Sequence, residues 1–384
     1  MSPRIPGLLA LATVGALLSA VVPGPSAAAP AYNTYTAHTT PQGYHVSRPT
    51  KITALSAPDF HPDALYSDFH SHHAWYGYIN GPGRKGYYFK EGSGAQVSAP
   101  KPIPGLAPST GASAPDNCGV WPVGRFYEKS PTKWIGFFHE EQRAPGDKTC
   151  ITAGHHTRWT IRRMVSTDQG MHWRKDKIVI TQDTALTGSG TNWKFATDDA
   201  GSPRLVIRGA YMYLFYRAAN RQSATTSQPQ QASVARATLR SLGVRGAWKK
   251  YYNGGWRQRG IGGRQSAVAK MPDKGRGISW NSVLRRYIDV VAAKDGIYLY
   301  GSAGDNFLKW SPITKLVSYP ANAGWHASCP GKDVPWAAGY AAIRGAGGGP
   351  TSGRRFWVYD MEKPAGKCIG VAAQERRRLI TIPG

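Results

Sequence analysis

Short aromatic-rich runs alternate with turn-forming stretches along most of this chain. Five runs stand out: Trp75-Tyr76-Gly77-Tyr78-Ile79, Trp134-Ile135-Gly136-Phe137-Phe138-His139, Tyr211-Met212-Tyr213-Leu214-Phe215-Tyr216, Tyr287-Ile288-Asp289-Val290-Val291 and Phe356-Trp357-Val358-Tyr359-Asp360. Their β-branched and aromatic residues favour a pleated, half-buried surface. Helical periodicity is scarce, and 45 Gly, 28 Pro and an 11% aromatic content point to many short strands joined by turns. The runs recur at intervals of roughly 60–80 residues, longer than common repeats but compatible with blades that carry long insertions.

The segments downstream of these runs are also alike. Residues 159–165 come after the second, 232–237 and then Trp248 after the third, and 296–302 with a closing 305–310 after the fourth. The unit is strand, strand, then a turn with Asp or Gly and a Trp. Radial repetition of such a unit protects sheet edges. The pattern therefore predicts an all-β, five-bladed β-propeller. A β-sandwich is the alternative, and the shared closing Trp argues against it.

Residues 166–173 read Ser-Thr-Asp-Gln-Gly-Met-His-Trp. In this spacing Asp168 can fold onto nearby backbone N–H groups, and Gly170 can supply positive φ for a tight turn. Trp173 then drops its ring onto the blade below. The pattern resembles the Asp-box, a hairpin turn on the outer strands of β-propeller blades in sialidases and related proteins. Those boxes lie away from the catalytic face. A sialidase typically carries several on six blades, whereas one clean copy occurs here.

The amino-terminal segment reads as a secretory signal. Arg4 supplies a positive start, residues 7–22 are apolar and uncharged, and Ala27-Ala28-Ala29 offers small cleavage-site residues. A membrane anchor is the alternative, for which the apolar core is short. The expected organisation is a signal at 1–31, a flexible lead-in at 32–58 and one propeller domain at 59–384, in a secreted monomer with no membrane insertion.

A formal net charge of +26 implies an anionic partner, such as an acidic polysaccharide or an anionic cell wall. Solubility is the plainer explanation. Nucleic acid is not expected, since the basic residues are scattered and no nucleic-acid-binding motif occurs. Cys118, Cys150, Cys329 and Cys368 form an even set that, in an exported chain, implies two disulfides. Three connectivities are open, and pairing sequence neighbours is preferred.

Candidate chemistry gathers around the second run. Asp116 and Trp121 precede it, and it ends in His139-Glu140-Glu141. Alternation puts His139 and Glu141 on one face and Glu140 on the other. Glu141 could be a general acid or base, with His139 tuning it or holding substrate. A solvated salt bridge at a strand end is the plainer reading. Asp198 and Asp199 precede the third run, where turn chemistry is equally served. Asp59, His61, Asp63, Asp68, His70, His72 and His73 crowd the first blade, and that density raises a metal site. Asp68 is the carboxylate closest to Trp75. Trp280 and Asn281, before the fourth run, could stack on and hydrogen-bond a sugar ring.

With these motifs in view, the chain resembles the secreted five-bladed propeller glycoside hydrolases, the arabinanase, xylosidase and fructosidase architecture. The resemblance covers most of the chain. It lies in the run over 137–141 leading to the 166–173 turn, and in Gly201-Ser202-Pro203 before Tyr211. It lies also in residues 248–256 with Gly260-Ile261-Gly262-Gly263, and in Ser279-Trp280-Asn281-Ser282. It implies three carboxylates from the first three blades, which map by position to Asp68, Asp116 and Asp199, with Glu141 competing for the acid role. No Glu precedes the third blade's Gly-Ser-Pro, and no Arg-Asp-Pro triplet occurs.

The function expected is extracellular hydrolysis of a polysaccharide or oligosaccharide by carboxylate acid/base chemistry, with an anionic or cell-wall glycan among the candidate substrates. No cofactor is required, and a structural metal such as calcium is allowed. A lyase acting on a uronate polymer and a noncatalytic carbohydrate-binding propeller are the rivals.

Overall fold

The computed structural model describes residues 36–51, 60–61, 67–69, 72–79, 85–90, 101–102, 104–111, 114–122, 125–142, 158–183, 200–219, 230–271, 275, 277–293, 295–318, 336–337, 341–346, 351–363 and 374–384. In the strands between 60 and 102, and at 51, 121–122, 219, 230–231, 336–337, 361–363 and 374–375, it describes the backbone alone. By internal contacts the chain divides into Met1–Ala31 and Tyr32–Gly384, and every described residue falls in the second unit. The expected signal segment and Cys150, Cys329 and Cys368 lie outside the described residues.

The described residues are nearly all β. They contain no α-helix and one 3-10 turn, Leu239–Ser241. Each aromatic run forms a strand: His72–Ile79, Trp134–Gln142, Tyr211–Ala219, Arg286–Ala293 and Arg355–Lys363. Each pairs antiparallel on one side with a preceding strand: Ser67–Phe69, Gly119–Pro122, Ala200–Arg208, Ser279–Asn281 and Ala342–Gly345. On the other side lies the following strand: Lys85–Lys90, Arg158–Ser166, Gln230–Thr238, Gly296–Ala303 or Gln374–Thr381. None of the aromatic strands stands at the edge of its sheet. Burial on both faces explains this, because Trp134 to His139 are all buried and an edge strand would expose part of that surface.

The arrangement is that of a β-propeller. Four blades are described with their side chains, against the five expected: the sheets over 119–180, 200–259, 279–318 and 336–381. Between 60 and 102 the description is of strand pairing alone. The expected lead-in also behaves differently. His45 and Val46 pair with Thr381 and Ile380 of the carboxy-terminal strand, and Thr50 and Lys51 pair with Arg377 and Arg376. Val46 is fully buried beside Ile380, so this segment completes the last sheet.

Apolar layers fill the spaces between neighbouring sheets. Ile135, Phe137 and Ile161 pack against Leu205, Met212 and Leu214, and Phe215 and Val234 pack with Tyr287 and Trp310. Buried charge spans the same interfaces. Lys250 Nζ donates to the carbonyls of Thr181 (2.6 Å) and Gly263 (2.7 Å) and to Gln265 Oε1 (3.0 Å). Arg204 and Asp289 meet at 2.6 Å with 1% and 0% side-chain exposure, joining the third sheet to the fourth. Breaking such a pair leaves an uncompensated buried charge. Asp289→Ala is therefore expected to cost about 3–5 kcal/mol in urea unfolding, and Arg204→Met with Asp289→Leu distinctly less. Equal losses in the single and double variants would contradict the role given to the pair.

Candidate functional site

The Trp134–Gln142 strand sorts its side chains by alternation. Ile135 and Phe137 face the third sheet, and His139 and Glu141 continue that face. His139 is held from three directions. Its Nε2 lies 3.1 Å from Glu141 Oε1, the backbone N–H of Ser202 donates to its Nδ1 at 3.1 Å, and Trp159 packs on its ring at 4.7 Å. A backbone N–H can only donate, so Nδ1 accepts and the ring proton sits on Nε2. His139 thus donates to Glu141. The Arg217 guanidinium lies over the far ring of this stack, 5.2 Å from the Trp159 centroid.

The Gly-Ser-Pro segment makes this approach possible. A Cβ on Gly201 would sit 2.6 Å from His139 Nδ1 and 2.9 Å from the Trp159 ring. The pairing register shifts between Gly201 and Arg204, and Ser202 takes φ +50 there. A bulge of this kind re-aims the backbone, here pointing an N–H at the neighbouring blade. Glu141 keeps 17% side-chain exposure, whereas His139 keeps 7%. The arrangement offers a reachable carboxylate oriented by a buried imidazole whose own tautomer is fixed.

Glu140 faces the other way, fully buried, and Arg162 Nε donates to its Oε1. Its Oε2 has no hydrogen-bond partner. Burial raises the Glu140 carboxyl to about 7, against the lowering pull of Arg162. The charge of Asp116 adds to that rise. Asp116 is itself buried, with Lys175 Nζ and Ser109 Oγ on its Oδ2. Asp116, one of the three carboxylates that the resemblance implies, is held in a network with Lys175 and Ser109. Such a network satisfies a carboxylate that burial would otherwise penalise.

Asn281, the expected sugar-binding amide, is also held by protein groups. It is fully buried, its Nδ2 donates to Ser352 Oγ (3.0 Å) and the Gly353 carbonyl (2.9 Å), and its Oδ1 accepts from the N–H groups of Val283 and Leu284. Its Oδ1 closes the hairpin that follows and its Nδ2 ties the strand to residues 352–353, so all four of its hydrogen-bonding positions have protein partners. Trp280 is half-buried against Tyr287, with ring centroids 5.0 Å apart. Asp68 and Trp121 lie in strands whose side chains are not described, and Asp199 lies outside the described residues. Cys118 is buried. Among the described residues no group of three or more His, Cys, Asp and Glu could hold a metal ion. The dense His and Asp set of the first blade, from Asp59 to His73, falls where side chains are not described.

The turn at 166–173 is closed by its own side chains. Ser166 Oγ accepts from Gly170 N–H at 2.8 Å and donates to Asp168 Oδ1 at 2.8 Å, and His172 N–H donates to the same oxygen at 2.9 Å. Partial burial acts to raise the Asp168 carboxyl, but these bonds from His172 and Ser166 hold it below its ordinary value. Trp173 packs on Phe126 and Phe138, at 4.8 Å and 4.9 Å, within its own sheet.

No family model matches the chain, and no curated protein does. Its fold is similar to that of Zg3597, a family 117 glycoside hydrolase produced by the marine bacterium Zobellia galactanivorans. The TM-score is 0.52 at 9% identity, over 91% of this chain and 92% of that one. It is similar also to an α-L-arabinofuranosidase from Lactobacillus brevis, with a TM-score of 0.49 at 10% identity over 86% and 92%. A GH43_1 enzyme from Xanthomonas citri complexed with xylose gives 0.49 at 12% identity over 85% and 90%. The likeness to Zg3597 concerns the fold alone.

Two outcomes test this geometry. Gly201→Ala should lower stability by ~1–3 kcal/mol in urea unfolding, since overpacking here displaces His139; a neutral result would remove the constraint. For Glu140, the folded state keeps its proton up to about 7, while the unfolded state releases it near the ordinary carboxylate value. The unfolded state therefore binds fewer protons across that window, and stability falls as pH rises through it. Relative to Glu140→Gln, the wild type should lose up to about 3 kcal/mol between pH 4 and pH 8. A difference independent of pH would contradict the buried, titrating Glu140.

Proposed function

We propose that this chain is a secreted glycoside hydrolase on a five-bladed β-propeller, acting on an anionic or cell-wall polysaccharide, with Glu141 as its working carboxylate. The observation that carries the reading is the partly exposed Glu141, oriented by the buried His139. Likeness in fold to a family 117 glycoside hydrolase is consistent with it. The paired strands between 60 and 102 repeat the order of the other sheets, which supports counting them as a fifth blade. The bonds inside the 166–173 turn support its reading as an Asp-box. Secretion is supported by the apolar residues 7–22 and by the even set of four cysteines.

Hydrolysis requires a second carboxylate, one group protonating the leaving oxygen and the other activating water or attacking. Asp199 is proposed for it, because it immediately precedes the strand whose Gly201 and Ser202 meet His139. Asp68 is the first-blade candidate for the remaining role. A noncatalytic carbohydrate-binding propeller is the second reading, favoured by the engagement of Asp116 and Asn281 in structural bonds. The lyase reading has less support, since both ring nitrogens of His139 are already engaged.

A reducing-end assay over neutral and acidic polysaccharides tests the reading. The wild type should release reducing ends, and Glu141→Gln should cut the rate by about 100-fold or more. Glycan binding without release would favour the noncatalytic propeller. Products with a new ultraviolet-absorbing double bond would favour a lyase, and undiminished hydrolysis by Glu141→Gln would remove that residue from the site.

A further inference from the structure

The third sheet has an unusual charge distribution. Residues 200–272 contain thirteen Lys and Arg and no Asp or Glu. Strand register puts three of these cations in line. Tyr213 pairs with Arg236, Arg236 with Lys249, and Lys249 with Arg259. Directly paired residues share a face, so three adjacent strands carry Arg236, Lys249 and Arg259 side by side, about 4.8 Å per strand. Like charges placed opposite one another destabilise a sheet. Among the described residues none of the three forms an ion pair that would offset this.

Rings hold Arg236 in place. Its guanidinium lies 4.7 Å from the Tyr211 centroid and 4.7 Å from that of Trp256. Tyr213 and Tyr251 brace Trp256 at 5.7 Å and 5.2 Å. Contact with the two rings holds the guanidinium in place, and its N–H donors suit bidentate bonds to an oxyanion. Lys249 and Arg259 are exposed, and Arg236 is half-buried. Lys250, next along the strand, points the opposite way and bonds to Thr181. The cation row therefore lies on the far face of the third sheet from His139 and Glu141.

We propose that this row is a docking surface for a carboxylate-bearing polysaccharide, separate from the Glu141 site. Carboxylates along such a polymer offset the repulsion that the sheet leaves uncompensated. Single-stranded nucleic acid binding uses open aromatic faces as stacking platforms. Here Arg236 occupies faces of Tyr211 and Trp256 on which a base would have to stack, so the row offers charge and bidentate donors without an open stacking platform. Docking at the row does not depend on hydrolysis at Glu141, because its readout is binding.

The test is titration of the full chain with polygalacturonate at low ionic strength. Lys249→Gln with Arg259→Gln is compared with Arg240→Gln and Arg245→Gln, exposed positions of the same blade that lie outside the row. The row variant should lose about tenfold in affinity or more, while the charge-matched control stays within about twofold of wild type. Its melting temperature should equal or exceed that of the wild type, since repulsion is removed. Arg236→Lys, which keeps the charge but loses the planar fork, should also weaken binding. Equal losses in both double variants, no binding of polygalacturonate, wild-type affinity in Arg236→Lys, or tighter binding of single-stranded DNA would each overturn the proposal.

Discussion

The contact on which the candidate site depends is the hydrogen bond from the Ser202 N–H to His139 Nδ1, made across the interface between two sheets. It fixes the imidazole tautomer, and through Nε2 it fixes the Glu141 carboxylate. Gly201 is required because any side chain there would meet the imidazole. The bulge that turns Ser202 toward His139 holds a non-glycine residue at positive φ, a conformation tolerated where the surroundings over-determine it. One blade's backbone thus orients the next blade's side chains.

The same logic governs the buried charges. Apolar packing alone would let neighbouring sheets slide, whereas a buried ion must find its own partners or unfold the site around it. Lys250 finds carbonyls of two sheet edges, and Arg204 finds Asp289 of the following sheet. Glu140 finds Arg162 within its own sheet, and burial still leaves its carboxyl raised. Closure of the last sheet by Val46 and His45 adds a further constraint, since it ties the amino-terminal strands to the carboxy-terminal one.

Much of the fold was legible because strand signals are local. All five aromatic runs form strands, and the pairing of His139 with Glu141 followed from alternation alone. What sequence could not give was long-range. The order of strands within a sheet depends on which edge is covered, which no local pattern reports. Residues 38–51 lack a strong period, and the strands at 45–46 and 50–51 form by pairing with residues 376–381. Asp116 and Asn281 have the right chemistry for a site, but distant partners, Lys175 and Ser352, consume it. Gly201 carried a usable signal, since a Gly inside a strand marks a bulge or a close approach of the backbone. The cation row could not be seen until register was known.

The decisive observation is the protonation pattern of the His139 ring, read by long-range nitrogen–proton NMR on the full chain. A proton on Nε2 and an unprotonated Nδ1 are expected in the wild type, with the pattern lost in Gly201→Ala. A wild-type ring that carries its proton on Nδ1 would break the link from Ser202 to Glu141 and contradict the site as described.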